Sequence, residues 1–146
     1  MYLDLLRTIY SKFIVNNNIL SNTSSFNIIF IHLHSLGGTA NVPHGYTSCI
    51  NLPHVLEYNS HHPDMDKKLK IVSECFGQQN VHAAIVVDEY VRKLGLPRSL
   101  EEVGVKPDMH ETIAKLSMHD FMLKTNPRPI NSYLDVMTIL KDAQTG

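Results

Sequence analysis

The feature that most constrains the fold is the regular succession of helix-stop and helix-start residues from about residue 45 onwards. Gly77, Gly95 and Gly104 each follow a segment with apolar residues at helical spacing, and glycine commonly ends helices. Ser132 and Asp135 are spaced as a capping box, which begins a helix. Alternating strand patterns are nearly absent. The sequence therefore predicts an all-α chain, a helical bundle of about six helices.

For three of the predicted helices, the sequence also predicts a break, a buried face or a capping residue. A helix over residues 45–58 contains Pro53, which we expect to break or kink it. A helix over residues 81–94 should bury its apolar face. Asp108 with Glu111 should cap a further helix that runs to about residue 122. The helix over residues 81–94 carries Ile85 among its apolar residues, and the side chains expected to face inward on the last of these helices are Ile113, Leu116 and Phe121.

The first 30 residues differ in character from the rest of the 146-residue chain. Residues 15–28 are rich in asparagine and serine, whose side chains compete with the backbone for hydrogen bonds and favour turns. We therefore expect a partly disordered lead over residues 1–30 and one helical domain over residues 31–146. No apolar run is long enough to span a bilayer, and Asp4 stands where a signal peptide is basic. We expect a cytoplasmic chain without a membrane partner.

Charge and cysteine content exclude several functional classes. The formal net charge is −1 and the basic runs are short, which gives no electrostatic footprint for nucleic acid. Cys49 and Cys75 do not form a C-x-x-C pair and lie in apolar helical patterns, so we interpret them as reduced thiols. The nine histidines are unusual in a chain of which 18% is charged. They are the first indication of chemistry.

Three of these histidines, His32, His34 and His44, are close in sequence. A helix ending in a turn at Gly37 and Gly38, followed by a loop into Pro-His-Gly, would bring His34 back towards His44. Imidazole binds Zn²⁺ and Fe²⁺, but a catalytic metal normally needs three protein ligands. Spacing alone therefore favours ordinary hydrogen-bonding histidines. We interpret the remaining ones in the same way, on polar loops and helix faces: His54, His61, His62, His82, His110 and His119.

Five short motifs follow one another along the chain. They are Leu-Gly-Gly at 36–38, Val-Pro-His-Gly at 42–45, Leu-Pro-His-Val-Leu-Glu-Tyr-Asn at 52–59, Leu-Pro-Arg-Ser-Leu-Glu-Glu at 96–102 and Asn-Pro-Arg-Pro-Ile at 126–130. Together they resemble the C-terminal helical half of the iron-containing (group III) alcohol dehydrogenase family. The Gly-Gly-Thr and Asn-Pro-Arg-Pro-Ile variants lean towards its maleylacetate reductase-like branch. The resemblance covers the chain from about residue 32 to the end.

The resemblance implies the C-terminal domain of the dehydroquinate synthase-like fold. In the family, this domain is joined to an N-terminal α/β half that binds NAD(P). A divalent metal, iron or zinc, polarises the oxygen of a small alcohol or carbonyl substrate while hydride moves to or from the nicotinamide. His44 matches a metal ligand, and His34 matches a histidine close to the reacting centre, which makes it the expected catalytic residue. No residue of this chain is expected to bind the nucleotide.

The chain also departs from the family pattern. Four metal ligands are expected, and the third should lie fourteen residues before His44, where the chain has Phe30. The first two ligands and the α/β half are expected to precede the first residue. We therefore expect them to be missing from this chain. One imidazole cannot hold a catalytic metal at useful affinity. We therefore expect an oxidoreductase fragment that is inactive alone. The alternative is a non-catalytic helical remnant acting as a protein-interaction module. Exposed apolar surface should favour self-association.

Overall fold

The structure is a computed structural model that describes residues 35–146, apart from the side chain of Met122. This part of the chain contains no strand, which confirms the predicted all-α fold. Six helices are described: residues 35–40 (α1), His44–Ser60 (α2), Asp66–Cys75 (α3), Ala83–Lys93 (α4), His110–Ser117 (α5) and Tyr133–Asp142 (α6). Short 3₁₀ turns lie at Pro63–Met65, Glu101–Val103, Pro107–Met109 and Phe121–Thr125. The predicted boundary between residues 30 and 31 lies outside the described residues.

Helix α2 forms the centre of the fold, and 11 of its 17 residues are buried. On one side, Cys49 and Leu52 pack into an apolar cluster with residues of α3 and α4. On the other side, Ile50 and Val55 pack into a second cluster with residues of α5 and α6. Burial on both sides explains why the helix is apolar around most of its circumference. Among the described helices, none combines the length and apolar character needed to cross a bilayer.

The break predicted at Pro53 does not occur, because α2 continues through this residue to Ser60. Proline lacks the N–H that would bond the carbonyl of Cys49, a change that costs about 3 kcal/mol in a helix interior. Pro53 is itself buried, and the helix around it packs on both faces. Tertiary packing therefore outweighs the local preference of the proline.

Several helix ends were predicted correctly. Gly77 follows α3 with a φ of 75°, and Gly104 follows the turn Glu101–Val103 with a φ of 80°, a region that L side chains rarely adopt. The capping box before α6 is also present. The Ser132 N–H donates to the Asp135 carboxylate at 3.0 Å, and the Ser132 hydroxyl accepts from the Leu134 backbone N–H. These ends are set by local chemistry, which a sequence displays directly.

Two of the three side chains predicted to face inward are exposed. Ile113 is buried as predicted, but Leu116 is 48% and Phe121 73% exposed, and Ile85 on α4 is also 52% exposed. Asp108 lies inside the 3₁₀ turn Pro107–Met109, so α5 starts later than predicted and ends already at Ser117. Phe121 therefore belongs to a 3₁₀ turn, in which the helical repeat of 3.6 residues no longer applies. On α4 the buried face contains instead Ala83, Ala84, Val86, Val87 and Val91.

A polar clasp joins the end of α2 to the proline-rich segment at residues 126–130. The side-chain amides of Asn59 and Asn126 bond each other reciprocally, at 3.1 and 2.8 Å, in a buried position. Arg128 stacks over the ring of Tyr58 at 4.0 Å and donates to the Tyr58 carbonyl at 3.0 Å. The Tyr58 hydroxyl donates to the Pro129 carbonyl at 3.1 Å. Two of the sequence motifs thus act together as a structural contact.

Candidate functional site

The candidate site lies at a helical hairpin formed by α1, a short loop and the start of α2. Helix α1 ends at residue 40, and Asn41 adopts the left-handed conformation with a φ of 53°, which turns the chain. The predicted turn at Gly37 and Gly38 is wrong, because both residues are helical. A Cβ at Gly37 would meet its nearest atom, the Val42 carbonyl oxygen, at 3.8 Å, which is an ordinary contact. The reversal therefore depends on Asn41.

Two buried contacts hold this hairpin against the rest of the fold. Leu36 and Val42 lie on either side of the turn, and both are buried in the cluster that contains residues of α5 and α6. In addition, the hydroxyls of Ser35 and Ser117 lie 3.0 Å apart, which links α1 to the end of α5. The hairpin is therefore anchored on both of its arms. The predicted catalytic residue, His34, directly precedes this anchored part and lies outside the described residues.

His44, the predicted metal ligand, is the first residue of α2, and its side chain is exposed. The backbone carbonyl of His44 accepts hydrogen bonds from the Thr47 hydroxyl at 2.8 Å and from the Ser48 hydroxyl at 3.4 Å. Both serve to fix the first turn of the helix, whose remaining length is held in the core. His44 thus has a backbone held by hydrogen bonds and an exposed imidazole, an arrangement that is compatible with metal binding.

The described residues do not supply a complete metal site around His44. Residues 35–146 contain no group of three histidine, cysteine, aspartate or glutamate side chains placed to hold a metal ion. A catalytic zinc or iron site needs about three protein ligands. The donor set of the described part therefore does not fit a bound catalytic metal, and His44 is the one residue in it that was predicted to be a ligand. Phe30 and His32, which concern the third ligand position, lie outside the described residues.

Three of the other histidines have ordinary interactions, as predicted. His82 Nδ1 lies 3.2 Å from the Glu57 carboxylate, and His61 Nδ1 lies 3.0 Å from the Glu57 carbonyl oxygen. His62 accepts from the backbone N–H of Asp64 at 3.3 Å, at the start of a 3₁₀ turn. The contacts with Glu57 lie near the far end of α2, about 20 Å along the helix axis from His44. They do not contribute to the candidate site.

His54 lies on α2 and is half-buried. Burial lowers the pKa of its imidazole, while the carboxylates of Asp142 and Asp88 oppose this shift and Arg98 reinforces it. Burial therefore favours the neutral form of this imidazole. Ten residues separate it from His44, about 15 Å along the helix, so the two cannot share a metal ion.

The position predicted for His110 on a polar helix face is wrong, because this side chain is buried. Its Nε2 lies 2.7 Å from the Gln144 side-chain oxygen, and the Gln144 amide donates to the Val105 carbonyl at 3.2 Å. The signal was available in the sequence, since His110 shares its spacing with Ile113 and Ser117 on the buried face of α5. Its role is to attach the C-terminal residues to the bundle.

Comparisons with known proteins agree with this geometry. The sequence matches the model of the Fe-containing alcohol dehydrogenase family, C-terminal, over residues 19–144, a match that begins upstream of the boundary predicted at residue 31. Alcohol dehydrogenase 4 of Saccharomyces cerevisiae (strain ATCC 204508 / S288c) is 33% identical over 128 residues, covering 84% of this chain and 32% of that protein. Maleylacetate reductase 1 of Cupriavidus pinatubonensis is 36% identical over 99 residues, covering 68% and 26%.

Solved structures of both types share the fold. An iron-containing alcohol dehydrogenase from Corynebacterium glutamicum superposes with a TM-score of 0.70 at 24% identity, over 82% of this chain and 32% of that chain. A maleylacetate reductase from Agrobacterium tumefaciens does so with a TM-score of 0.66 at 25% identity, over 80% and 31%. The chain thus spans about a third of the length of the curated relatives it matches. It belongs to the Fe-containing alcohol dehydrogenase family and corresponds to the helical C-terminal part of its members.

Proposed function

We propose that this chain supplies the helical part of a metal-dependent NAD(P) oxidoreductase. The reaction is hydride transfer between a nicotinamide and a small alcohol or carbonyl compound, of the alcohol dehydrogenase or maleylacetate reductase type. The family membership supports this assignment. The single observation that carries it is the placement of His44, exposed at the first residue of the rigid central helix and directly after the turn of the hairpin. A cytoplasmic location is part of the same proposal.

Within this function, we assign His44 the role of a ligand to Fe²⁺ or Zn²⁺, since imidazole accepts both. We assign His34 a catalytic role beside the reacting centre. The contacts of Leu36 and Ser35, the two residues that follow His34, support this role because they hold the arm of the hairpin that begins there. No residue of the chain is assigned to the nicotinamide cofactor.

We further propose that the chain is inactive as an oxidoreductase by itself. The described residues contain no set of three metal-binding side chains, and Phe30 occupies the position expected for the third ligand. Phenylalanine has no donor atom for a metal. The remaining ligands have to come from residues outside 35–146, and a single imidazole binds a divalent metal too weakly to retain it.

Metal analysis of the purified full chain tests this proposal. After incubation with Fe²⁺ or Zn²⁺ and desalting, elemental analysis should find well under one equivalent of metal, in the parent chain and in His44→Ala alike. His82→Ala is the matched control, because His82 is also an exposed histidine at the start of a helix. It precedes α4 and contacts Glu57, near the other end of α2. Retention of one equivalent that His44→Ala loses and His82→Ala keeps would contradict the incomplete site.

A second candidate function, a non-catalytic protein-interaction module, is favoured by three exposed apolar side chains. Leu116, Phe121 and Leu134 are all exposed, and we call them the apolar end of the bundle. Lys115 lies over the ring of Tyr133 at 5.3 Å, which places the end of α5 beside the start of α6. Large exposed apolar patches on soluble domains commonly mark contact surfaces. In a solution of this chain alone, the available partner is a second copy of the chain, so the proposal takes the form of self-association through this end.

Light scattering over a range of concentrations tests the interaction module. Self-association predicts a mass above the 16.5 kDa of one chain that rises with concentration and falls back in Phe121→Lys. Ile85→Lys, which adds the same charge at an exposed apolar residue on α4, should leave the mass unchanged. A mass of one chain at every concentration would contradict this candidate.

A further inference from the structure

The arginine side chains in the described part of the chain differ in their charge partners. Arg98 donates through Nε and Nη2 to the two carboxylate oxygens of Asp88, at 2.9 and 3.1 Å. Arg92 donates to the same carboxylate at 3.2 Å. Arg128 forms no ion pair with any carboxylate among residues 35–146. Within these residues, the positive charge of Arg128 is therefore not balanced by a neighbouring acid.

The Arg128 guanidinium is nevertheless held in place. Its central carbon lies 4.0 Å from the centroid of the Tyr58 ring, and its Nη1 donates to the Tyr58 carbonyl at 3.0 Å. Pro127 and Pro129 flank the residue, and proline fixes its own φ. The Arg128 Nε and Nη2 have no acceptor among the described residues. Arg98 binds its acid through the same two nitrogens, so Arg128 presents an equivalent edge without an acid on it.

A guanidinium edge of this kind recognises an oxyanion. Its N–H groups form a planar fork that matches two oxygens of a carboxylate or a phosphate, and each hydrogen bond is charge-assisted. A mobile arginine loses rotamer freedom when it binds, whereas the contacts with Tyr58 already restrict Arg128. Arg128 is also half-buried, so water screens its charge less than that of a fully extended side chain. The arrangement is therefore prepared for an anion.

The surrounding charges set the expected strength of binding. Lys124 lies four residues before Arg128 and is exposed, and it forms no ion pair with a described carboxylate, so it adds attraction for an anion. Asp135 opposes an anion, since it lies close enough for its charge to act on Tyr58. Its carboxylate accepts from the backbone N–H groups of Asn131 and Ser132, at 2.9 and 3.0 Å. This balance favours weak and reversible binding.

We propose that the Nε and Nη2 edge of Arg128 is a binding site for an oxyanion, the carboxylate or phosphate group of a small ligand. The two groups share the pair of oxygens that the fork requires. The site lies beside Tyr58, near the end of α2 and about 21 Å along the helix from His44. The inference goes beyond the proposed function and does not rest on it.

Titration of the full chain with sodium phosphate and, separately, with sodium acetate tests this proposal, with sodium chloride keeping the ionic strength constant. The Tyr58 ring signals, followed by NMR, should shift and saturate at millimolar anion concentrations, because the anion binds the guanidinium that lies over this ring. Arg128→Gln should abolish the shift. Arg128→Lys keeps the charge but has no fork, so it should weaken binding by about tenfold, which corresponds to the loss of one hydrogen bond to a charged group.

Arg92→Gln is the matched control, because it removes an arginine that already has an acid partner in Asp88. It should leave the Tyr58 response unchanged. Saturation by either anion supports the site, and the anion that binds more tightly identifies the ligand group as phosphate or carboxylate.

The absence of a saturating shift with both anions would overturn the proposal, since any remaining change would reflect the salt alone. A saturating shift that persists in Arg128→Gln, or that is lost in Arg92→Gln, would do so as well. If Arg128→Gln fails to fold, the parent chain and Arg128→Lys still decide, because equal affinities of the two would contradict recognition by a fork. The titrations contain neither metal nor nicotinamide, so their outcome is independent of the proposed function.

Discussion

Removal of the Asn59 side chain is expected to destabilise the fold more than any other exchange of an amide for alanine on α2. Asn59 is fully buried and shares two hydrogen bonds with Asn126, of 3.1 and 2.8 Å. Asn59→Ala breaks both bonds. The Asn126 amide nitrogen keeps a second acceptor, the Arg128 carbonyl at 2.5 Å, but the Asn126 side-chain oxygen loses the partner that this pair provides.

The magnitude follows from these contacts. Each lost bond costs about 1 kcal/mol net, and a buried acceptor without a partner adds about 1–3 kcal/mol. Asn126 is itself almost fully buried, so water replaces the lost partner poorly. The preference of helices for alanine over asparagine returns about 0.5 kcal/mol. The free energy of unfolding should therefore fall by about 2.5–4.5 kcal/mol, a large share of the roughly 5–15 kcal/mol typical of a domain.

Asn51→Ala is a closely matched control for this experiment. Asn51 lies on the same helix and is equally buried, but it makes one bond, to the Thr47 carbonyl at 2.8 Å, and its side-chain oxygen has no partner. Its replacement removes an unsatisfied acceptor along with the bond, so we expect a loss of about 1 kcal/mol or less. Urea unfolding monitored by circular dichroism measures both variants. Equal losses for Asn59→Ala and Asn51→Ala would refute the reasoning.

Two further predictions concern buried titratable groups. Burial lowers the pKa of His54 in the folded state below its ordinary 6.5, so protonation favours unfolding, and stability should fall as the pH is lowered through 6.5. His54→Gln should flatten this fall, as measured by urea midpoints at about pH 7.5 and about pH 5.5. Burial also raises the pKa of the Cys49 thiol to about 11. A thiol reagent should therefore label the half-buried Cys75 in the native chain and reach Cys49 only in urea, and native labelling that survives Cys75→Ser would contradict this.

The parts of the fold that could be predicted are those whose determinants are local in sequence. The glycine stops and the capping box at Ser132 and Asp135 each depend on residues within one turn. Residues 126–129 contain two prolines, which lack the backbone N–H that a helix needs, and these residues are not helical. The class of the fold followed from such signals taken together.

The parts that could not be predicted depend on contacts between distant segments. The pairing of Asn59 with Asn126 spans 67 residues, and no periodicity in the sequence indicates which of the many asparagines will form a hydrogen-bonded pair. The exposure of Phe121 has a related origin, because the predicted helix continues past Ser117, where α5 ends. A short apolar run has the same spacing whether or not the backbone stays helical.

The candidate site likewise has a part that could be predicted from the sequence and a part that could not. Its motif, Pro-His-Gly, identified His44 from sequence, and the structure places this residue at the first position of α2. The reversal at Asn41 and the support from Ser117 were not predictable, because one is a single left-handed residue and the other is a contact across the fold. The role of His34 stays a prediction, since this residue lies outside the described part of the chain.

The most direct test of the central claim is to restore the donor that the chain lacks. If His44 is a metal ligand and Phe30 stands at the third ligand position, Phe30→His should raise the affinity for Zn²⁺ by about tenfold or more, equivalent to about 1.4 kcal/mol. Isothermal titration of Phe30→His, with and without His44→Ala, measures this. The account predicts a gain that disappears when His44 is removed. No gain, or a gain that persists in Phe30→His/His44→Ala, would contradict it.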